Sequence, residues 1–332
     1  MYKFVIDMMG SDNGPKGLIK AIDEFSKIHQ DIFFYLVGKV DEFDVFKDRE
    51  NFKLIQADDV ISMDDNPIAS LKRNESSMIK AIKTYKEEKA DCIISAGSTG
   101  AYLTAATFLV GRIKGIKRPG LVTPFPTMIK NKSVVLLDIG ANNLNTVEEL
   151  VQFAFMGRVY TKYVLGIENP KSYLLSNGTE DHKGTNLIQD TNKKLREIKF
   201  ENFVGNIEGR HVLDGEADLV ITDGFSGNLF LKTCEGVFGI VSKLLKQGFK
   251  KNLKTKMGYL LSHSVIDNIK ETFNYKKVGA AMLLGIDGYV IKAHGNSDFE
   301  GFTGALNVSL SSVKNQINTK IKEELNISDE SR

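Results

Sequence analysis

Apolar residues follow two rhythms along the chain. Short, nearly uninterrupted apolar runs stand at 3–7 (KFVID), 32–37 (IFFYLV), 52–57 (FKLIQA), 91–95 (DCIIS), 133–139 (SVVLLDI), 172–176 (SYLLS) and 217–222 (ADLVIT). Each has the length of a strand. Between them apolar positions recur at helical spacing, as at Leu18, Ile22 and Phe25 and through 148–165 (EELVQFAFMGRVYTKYVL). This alternation predicts parallel strands joined by crossover helices, and strands apolar on both sides predict a sheet covered on both faces. No Pro- or Ser-rich linker divides the chain, so the expectation is a single α/β domain over residues 1–332, two-lobed at most: a Rossmann-like, layered αβα sandwich.

Glycines gather just after predicted strands, in MMGSDNGPKG (8–17), SAGSTG (95–100), DIGANN (138–143), SNGTEDHKGT (176–185) and DGFSGN (223–228). Turn chemistry accounts for any one of these loops, but together they mark the strand ends where open α/β sheets bind ligands. Residues 90–103 (ADCIISAGSTGAYL) and 217–230 (ADLVITDGFSGNLF) also echo each other, with Gly97/Gly224 and Gly100/Gly227 identical and Ser95/Thr222 and Thr99/Ser226 keeping a hydroxyl. A strand, a Gly-rich turn and a helix start favour an anion through free N–H groups and the helix dipole. The expectation is two anion-friendly turns facing one cleft.

Composition narrows the chemistry. With 44 Lys+Arg against 42 Asp+Glu the net charge is +2, which gives no overall reason to bind nucleic acid. Two cysteines, Cys92 and Cys234, make no disulfide framework and no zinc spacing, and each reads as a buried structural thiol. Dinucleotide G-x-G-x-x-G, P-loop, H-E-x-x-H and G-x-S-x-G signatures are all missing. No cofactor and no metal are expected, and the nucleophile is expected to arrive with the substrate. Of five histidines, His294 in IKAHGNSD (291–298) is the best placed to move a proton, with a structural His bonding a carbonyl as the equal alternative.

Within 236–266 there is no Asp or Glu, yet Lys243, Lys246, Lys250, Lys251, Lys254 and Lys256 interleave with Val237, Phe238, Val241, Leu244, Leu245 and Phe249, then Met257, Tyr259, Leu260 and Leu261. A break near Gly248–Leu253 predicts a protruding helical hairpin over 229–277. Such a segment suits an anionic membrane surface, an acidic protein, or a dimer or core helix with a solvated lysine face. Without these six lysines the remaining chain holds 38 basic and 42 acidic residues, a net −4. Arg112, Lys114, Lys117 and Arg118 form a second basic cluster. The apolar stretches 101–110 and 280–286 are too short to span a bilayer, which takes about 20 residues. The N-terminus meets Asp7 too early for a signal peptide, so a cytoplasmic protein is expected.

Taken in order, these motifs resemble the PlsX family of phosphate acyltransferases from about Asp7 to Asp298. The segments that carry the likeness include DMMGSDNGPKG (7–17), ADCIISAGSTGAYL (90–103), GRIKGIKRPGL (111–121), LLDIGAN (136–142), YVLGIENPKSYLLSNG (163–178), DGFSGNLFLKTCEG (223–236) and LLGIDGYVIKAHGNSD (283–298). Ser11, Ser98, Asn177, Thr179, Ala280, Met282 and Asn296 depart from the usual pattern without removing a charge. The resemblance implies transfer of a long-chain acyl group from acyl carrier protein to inorganic phosphate, an early step of bacterial phospholipid synthesis. It also implies a homodimer, a fold like phosphotransacetylase and the isocitrate/isopropylmalate dehydrogenases, and peripheral contact with the inner face of the cell membrane, near a PlsY-type acyl-phosphate:glycerol-3-phosphate acyltransferase.

Phosphate attack on a thioester needs phosphate positioning and oxyanion stabilisation rather than a protein nucleophile. The candidates are Lys183, His294 and Asn228 for catalysis. For binding phosphate or substrate they are Asp7, Gly10, Asn13, Ser95, Gly97, Thr99, Gly100, Asn142, Asp223, Gly224, Ser226, Gly227 and Ser297. The resemblance marks these as motif positions and assigns no roles. The competing expectations are a phosphotransacetylase using acyl-CoA, a dehydrogenase on the same fold, and a non-catalytic lipid-sensing protein.

Overall fold

The computed structural model describes residues 1–272 and 280–326. The end of the expected hairpin, 273–277, lies outside them. Strands β1 (Tyr2–Asp7), β2 (Ile32–Gly38), β3 (Phe52–Gln56), β4 (Cys92–Ser95), β5 (Gly120–Pro126), β6 (Ser133–Leu137), β7 (Ser172–Ser176), β8 (Phe203–Glu208), β9 (Leu219–Ile221), β10 (Ala280–Leu284) and β11 (Tyr289–Ala293) form one sheet. Among the described residues its order is β3-β2-β1-β4-β11-β10-β5-β6-β9-β7-β8.

The sheet is mixed, where the sequence predicts parallel pairing throughout. Strand β10 is antiparallel to both β11 and β5, and β5 is antiparallel to β6. Short connections force two of these pairs, β10–β11 and β5–β6: 285–288 and 127–132 are too short for a crossover helix. The flanking sets, β3-β2-β1-β4-β11 and β6-β9-β7-β8, are each parallel within themselves.

Helices cover both faces, as expected for an αβα sandwich. One core joins α1 (Lys16–Ile28), α5 (Val147–Leu165), α6 (Asn186–Glu197), α9 (Phe299–Lys314) and α10 (Ile317–Glu324) to residues such as Phe4, Ile94, Leu137, Met282 and Ile291. The other packs α3 (Ser77–Glu87) and α4 (Thr99–Ala105), with the short α2 (Pro67–Ser70) beside α4, onto Val5, Ile93, Leu121, Phe125, Ala281 and Leu283. Adjacent residues of each central strand thus feed opposite cores, the period-2 pattern of a sheet buried twice.

The capping chemistry is local and legible. Helix α5 begins with a full capping box, Thr146 and Glu149, and ends at Gly166 in the left-handed region at φ +73°. Helix α4 continues as a π-helical turn over Ala106–Val110. Helix α7 (Gly224–Lys250) buries only Gly224, Gly227 and Leu231, then meets α8 (Leu253–Thr272) at a tip formed by Lys251 and Asn252. Helices α7 and α8 lie on the segment for which the sequence predicts a basic hairpin over 229–277. Helix α7 starts five residues before that segment, at Gly224, because it follows directly on β9.

Candidate active site

On the second face a groove of about 1190 Å³ lies over β10 and β5, between α4 and α7. Ala281 and Leu283 of β10 and Leu121, Thr123 and Phe125 of β5 make its floor. Helix α4 with its π-turn forms one wall through Leu103, Thr104, Thr107 and Phe108, and Asn228, Leu231 and Lys232 of α7 form the other. The register sets the two ends. Ala293 pairs with Ala280 at the start of β10, and Gly120 pairs with Leu284 at its close. Five residues at ~3.3 Å each give a floor roughly 15 Å long.

The end near Ala293 is polar. Asp12, Lys292, His294 and Gly295 line it, with Thr99 and Gly100 from the start of α4. Asp7 is buried behind them, 1% exposed. Its carboxylate accepts from Ser95 Oγ at 2.7 Å and from Met9 N at 3.2 Å. Burial raises the Asp7 pKa, against those bonds and the charge of Lys292. Lys292 is 6% exposed and donates to the Ala293 carbonyl. Burial lowers its pKa to about 8, with the Asp7 and Asp12 carboxylates pulling it back up and Lys232 pushing it down. The loop after β1 is strapped to the loop after β11: Asp12 N donates to Gly295 O at 2.7 Å, Ser11 Oγ to Gly295 O at 3.0 Å, and Asn13 Nδ2 to Asn296 O at 2.8 Å. Asn13 therefore acts on the shape of the rim. Gly10, at φ +81°, lies so close to Gly97 that a Cβ on it would stand 2.8 Å from Gly97 Cα.

The other end is built around Asp138, fully buried. It accepts from Leu121 N, Gly140 N, Ala141 N and Asn142 N at 2.9–3.0 Å and from Asn142 Nδ2 at 2.9 Å. Burial raises its pKa while these donors oppose the rise. Asn142 also donates to Pro119 O at 2.7 Å, so both its amide hydrogens hold the loop. Helix α7 seats against this loop. A Cβ on Gly224 would fall 2.1 Å from Asn142 O, and one on Gly227 1.9 Å from Asp138 O. The N–H groups of this turn are engaged as well: Gly224 N to Asn145 Oδ1 at 3.2 Å, Ser226 N to the capping Asp223 at 2.9 Å and Gly227 N to Asp223 O at 2.9 Å. The two echoing turns do reach one groove, through Thr99 and Gly100 on one side and Asn228 on the other. The second turn, however, is a packing joint.

Arg112, Lys117 and Arg118 line the groove beside Pro119 and Asn142. Arg112 donates to the Lys117 carbonyl, Lys117 pairs with Glu148, and Arg118 stands 3.6 Å from Glu149. Lys114 is exposed outside the lining. Lys183 follows β7, two strands beyond β6, with its stem over Gly178, and does not line the groove. Nor do Asp7, Ser95, Gly97, Asp223, Ser226 and Ser297, whose places are behind the walls. Burial pushes the thiols of Cys92 and Cys234 up, and neither lines the groove. Among the described residues no group of three or more His, Cys, Asp or Glu is set to hold a metal ion.

Sequence reasoning missed Lys292, Asp12 and Lys232. Lys292 carried a signal: a lone lysine inside the apolar run YVIKA is anomalous in a strand covered on both faces.

A family model described as fatty acid synthesis protein matches residues 2–320. The chain belongs to this family, the PlsX phosphate acyltransferases. Phosphate acyltransferase of Thermosipho melanesiensis is 41% identical over 323 residues, covering 97% of this chain and 96% of its own. That of Mesoplasma florum is 36% identical over 331 residues, covering 98% of this chain and all of its own. Membership makes the protein an acyltransferase. Among solved structures, a phosphotransacetylase from Streptococcus pyogenes shares the fold at 15% identity and TM-score 0.57, covering 94% of each chain. A branched-chain phosphotransacylase from Enterococcus faecalis does so at 14% and 0.55, covering 94% of this chain and all of its own. For the PlsX family member described here, the expected likeness to phosphotransacetylase thus holds at the level of fold.

Proposed function

We propose that the protein transfers a long-chain fatty acyl group from acyl carrier protein to inorganic phosphate, giving acyl phosphate for phospholipid synthesis. The observation that carries this reading is one groove joining a polar end with a buried lysine, an apolar floor, and a basic mouth. An acyl thioester on an anionic carrier has a part for each: the carrier for the basic mouth, its extended arm for the floor, and the reacting carbonyl, which joins arm to acyl chain, for the polar end.

A phosphate oxygen attacks the thioester carbon, and the carbonyl electrons move onto oxygen. The tetrahedral oxyanion then collapses, and the carbon–sulfur bond breaks with its electron pair leaving on sulfur. The proton lost by monohydrogen phosphate balances the one gained by the thiol. A thiolate with pKa about 8.5 leaves readily, so the site's task is to place phosphate and stabilise the oxyanion. His294 and the N-terminus of α4, whose Ser98 makes no side-chain cap, are placed for that work, with Asn228 on the facing wall.

Arg112, Lys117 and Arg118 suit an acidic carrier delivering its prosthetic arm. The hairpin suits an anionic membrane, where a PlsY-type enzyme would receive the lipid-like product, and the exposed apolar side of α7 suits a second copy in a homodimer. Among the described residues no helix is long and apolar enough to cross a membrane. The Arg112→Glu/Arg118→Glu variant should raise the KM for acyl carrier protein substrate about tenfold, more so at low salt, with phosphate KM changed less than twofold. Equal rates with acyl-CoA and acyl carrier protein substrates would favour the phosphotransacetylase-like alternative.

A further inference from the structure

Three strands bring one polar row together. Asp7 of β1 pairs with Ser95 of β4, and Ser95 pairs with Lys292 of β11. Residues in register on neighbouring parallel strands point to the same face. Asp7, Ser95 and Lys292 therefore stand side by side at the strand ends, on the face that carries the groove. Asp7 and Ser95 are tied by a 2.7 Å hydrogen bond and sealed from solvent, and of the three only Lys292 lines the groove.

Burying a lysine in an otherwise apolar strand is costly unless something repays it. The Lys292 ammonium spends one donor on the Ala293 carbonyl, and an ammonium has three. On the same face Asp7 of β1, held by Ser95 of β4, supplies a carboxylate that favours its charged form, and the groove supplies a place for an anion. We propose that Lys292 is the residue that binds the attacking phosphate, and that Asp7, fixed by Ser95, is its positioning residue. This deepens the phosphate acyltransferase reading and rests on it for the identity of the anion. The charged groups acting on Lys292 are Asp7 from β1, Asp12 from the loop after it and Lys232 from α7, and the titratable His294 lines the groove beside it.

The consequence is a defined pH response. Lys292 holds phosphate as the ammonium, so phosphate affinity falls as pH rises through about 8. Phosphate itself is increasingly dianionic over that range, so its own ionisation does not weaken the attraction. Replacing Asp7 by Asn removes a charge that raises the lysine pKa, and the fall then comes at lower pH.

The test uses the full chain and inorganic phosphate. Thermal stabilisation by phosphate, without any acyl donor, is measured from pH 7 to 9.5 for the native protein, Lys292→Met, Lys292→Gln and Asp7→Asn, beside phosphate KM in acyl phosphate formation. Native stabilisation should fade above pH 8. It should be lost in both lysine variants, whose phosphate KM should rise at least tenfold with acyl-donor KM within twofold, and it should fade at lower pH in Asp7→Asn. Wild-type phosphate KM and stabilisation in Lys292→Met would overturn the proposal. If neither lysine variant folds, native stabilisation that stays constant from pH 7 to 9.5 overturns it, and fading supports it. Because the stabilisation assay contains no acyl donor, a failure to use acyl carrier protein substrate would sink only the donor reading.

Discussion

Gly227 and Asp138 show how little freedom single positions have around the groove. A methyl group on Gly227 would need the space of the Asp138 carbonyl, so Gly227→Ala must move the whole start of α7. Overpacking of this kind costs about 1–3 kcal/mol, and it also shifts Asn228 and Leu231 out of the groove wall. The expected result is a lower Tm together with a tenfold or greater loss of activity. Asp138→Asn leaves several buried N–H donors facing an amide in place of a carboxylate. Loss of charge-assisted bonds at a buried site costs about 3 kcal/mol, measurable by denaturant unfolding. The sequence showed the glycines and the echo between the two turns, but a turn that binds an anion and one that seats a helix have the same residues. Only the contacts of Gly224 and Gly227 separate them. Lys292 was hidden for a related reason, since its meaning comes from Ser95 and Asp7, far back in the chain and reached through β4.

Among the elements, the parallel strands with uniform apolar runs were readable, and β7 begins and ends where the apolar run does. Those not picked out as strands have physical excuses. Strand β5 carries Gly120, Pro124 and Pro126, residues that usually argue against a strand, and β8 contains Gly205 at φ +137°. Strand β10, AAMLL, is too short and too apolar for periodicity to tell strand from helix. These elements include the antiparallel centre on which the groove lies, so the site's floor was the least legible part of the fold. The hairpin was the most legible, since its apolar stripe and its lysines are unscreened by tertiary packing. Leu253, Met257, Leu260 and Leu261 are 67–84% exposed beside Lys250, Lys251 and Lys254. Exchange of those three lysines for Glu should weaken binding to vesicles containing anionic lipid about a hundredfold, at roughly 1 kcal/mol per residue. Retained vesicle binding with slower turnover would instead assign the lysines to the carrier protein.

For the molecule as a whole, the sheet reverses direction at β10 and β5, and the groove lies on one face of that reversed centre. The polar end, the apolar floor and the basic mouth all lie along the groove on that reversed centre. The proposed function is a direct reaction between two bound substrates. Incubation with radiolabelled acyl carrier protein substrate and no phosphate should therefore leave no acyl group on the denatured enzyme, whereas a stoichiometric acyl-enzyme would demand a nucleophile that the groove is not built around. The most direct measurement is the formation of acyl phosphate itself, trapped with hydroxylamine, from long-chain acyl carrier protein and inorganic phosphate. Hydroxamate that appears only when phosphate is added, in step with free carrier thiol, is the expected result. Release of free fatty acid without hydroxamate, or no thiol release at any phosphate concentration, would contradict it.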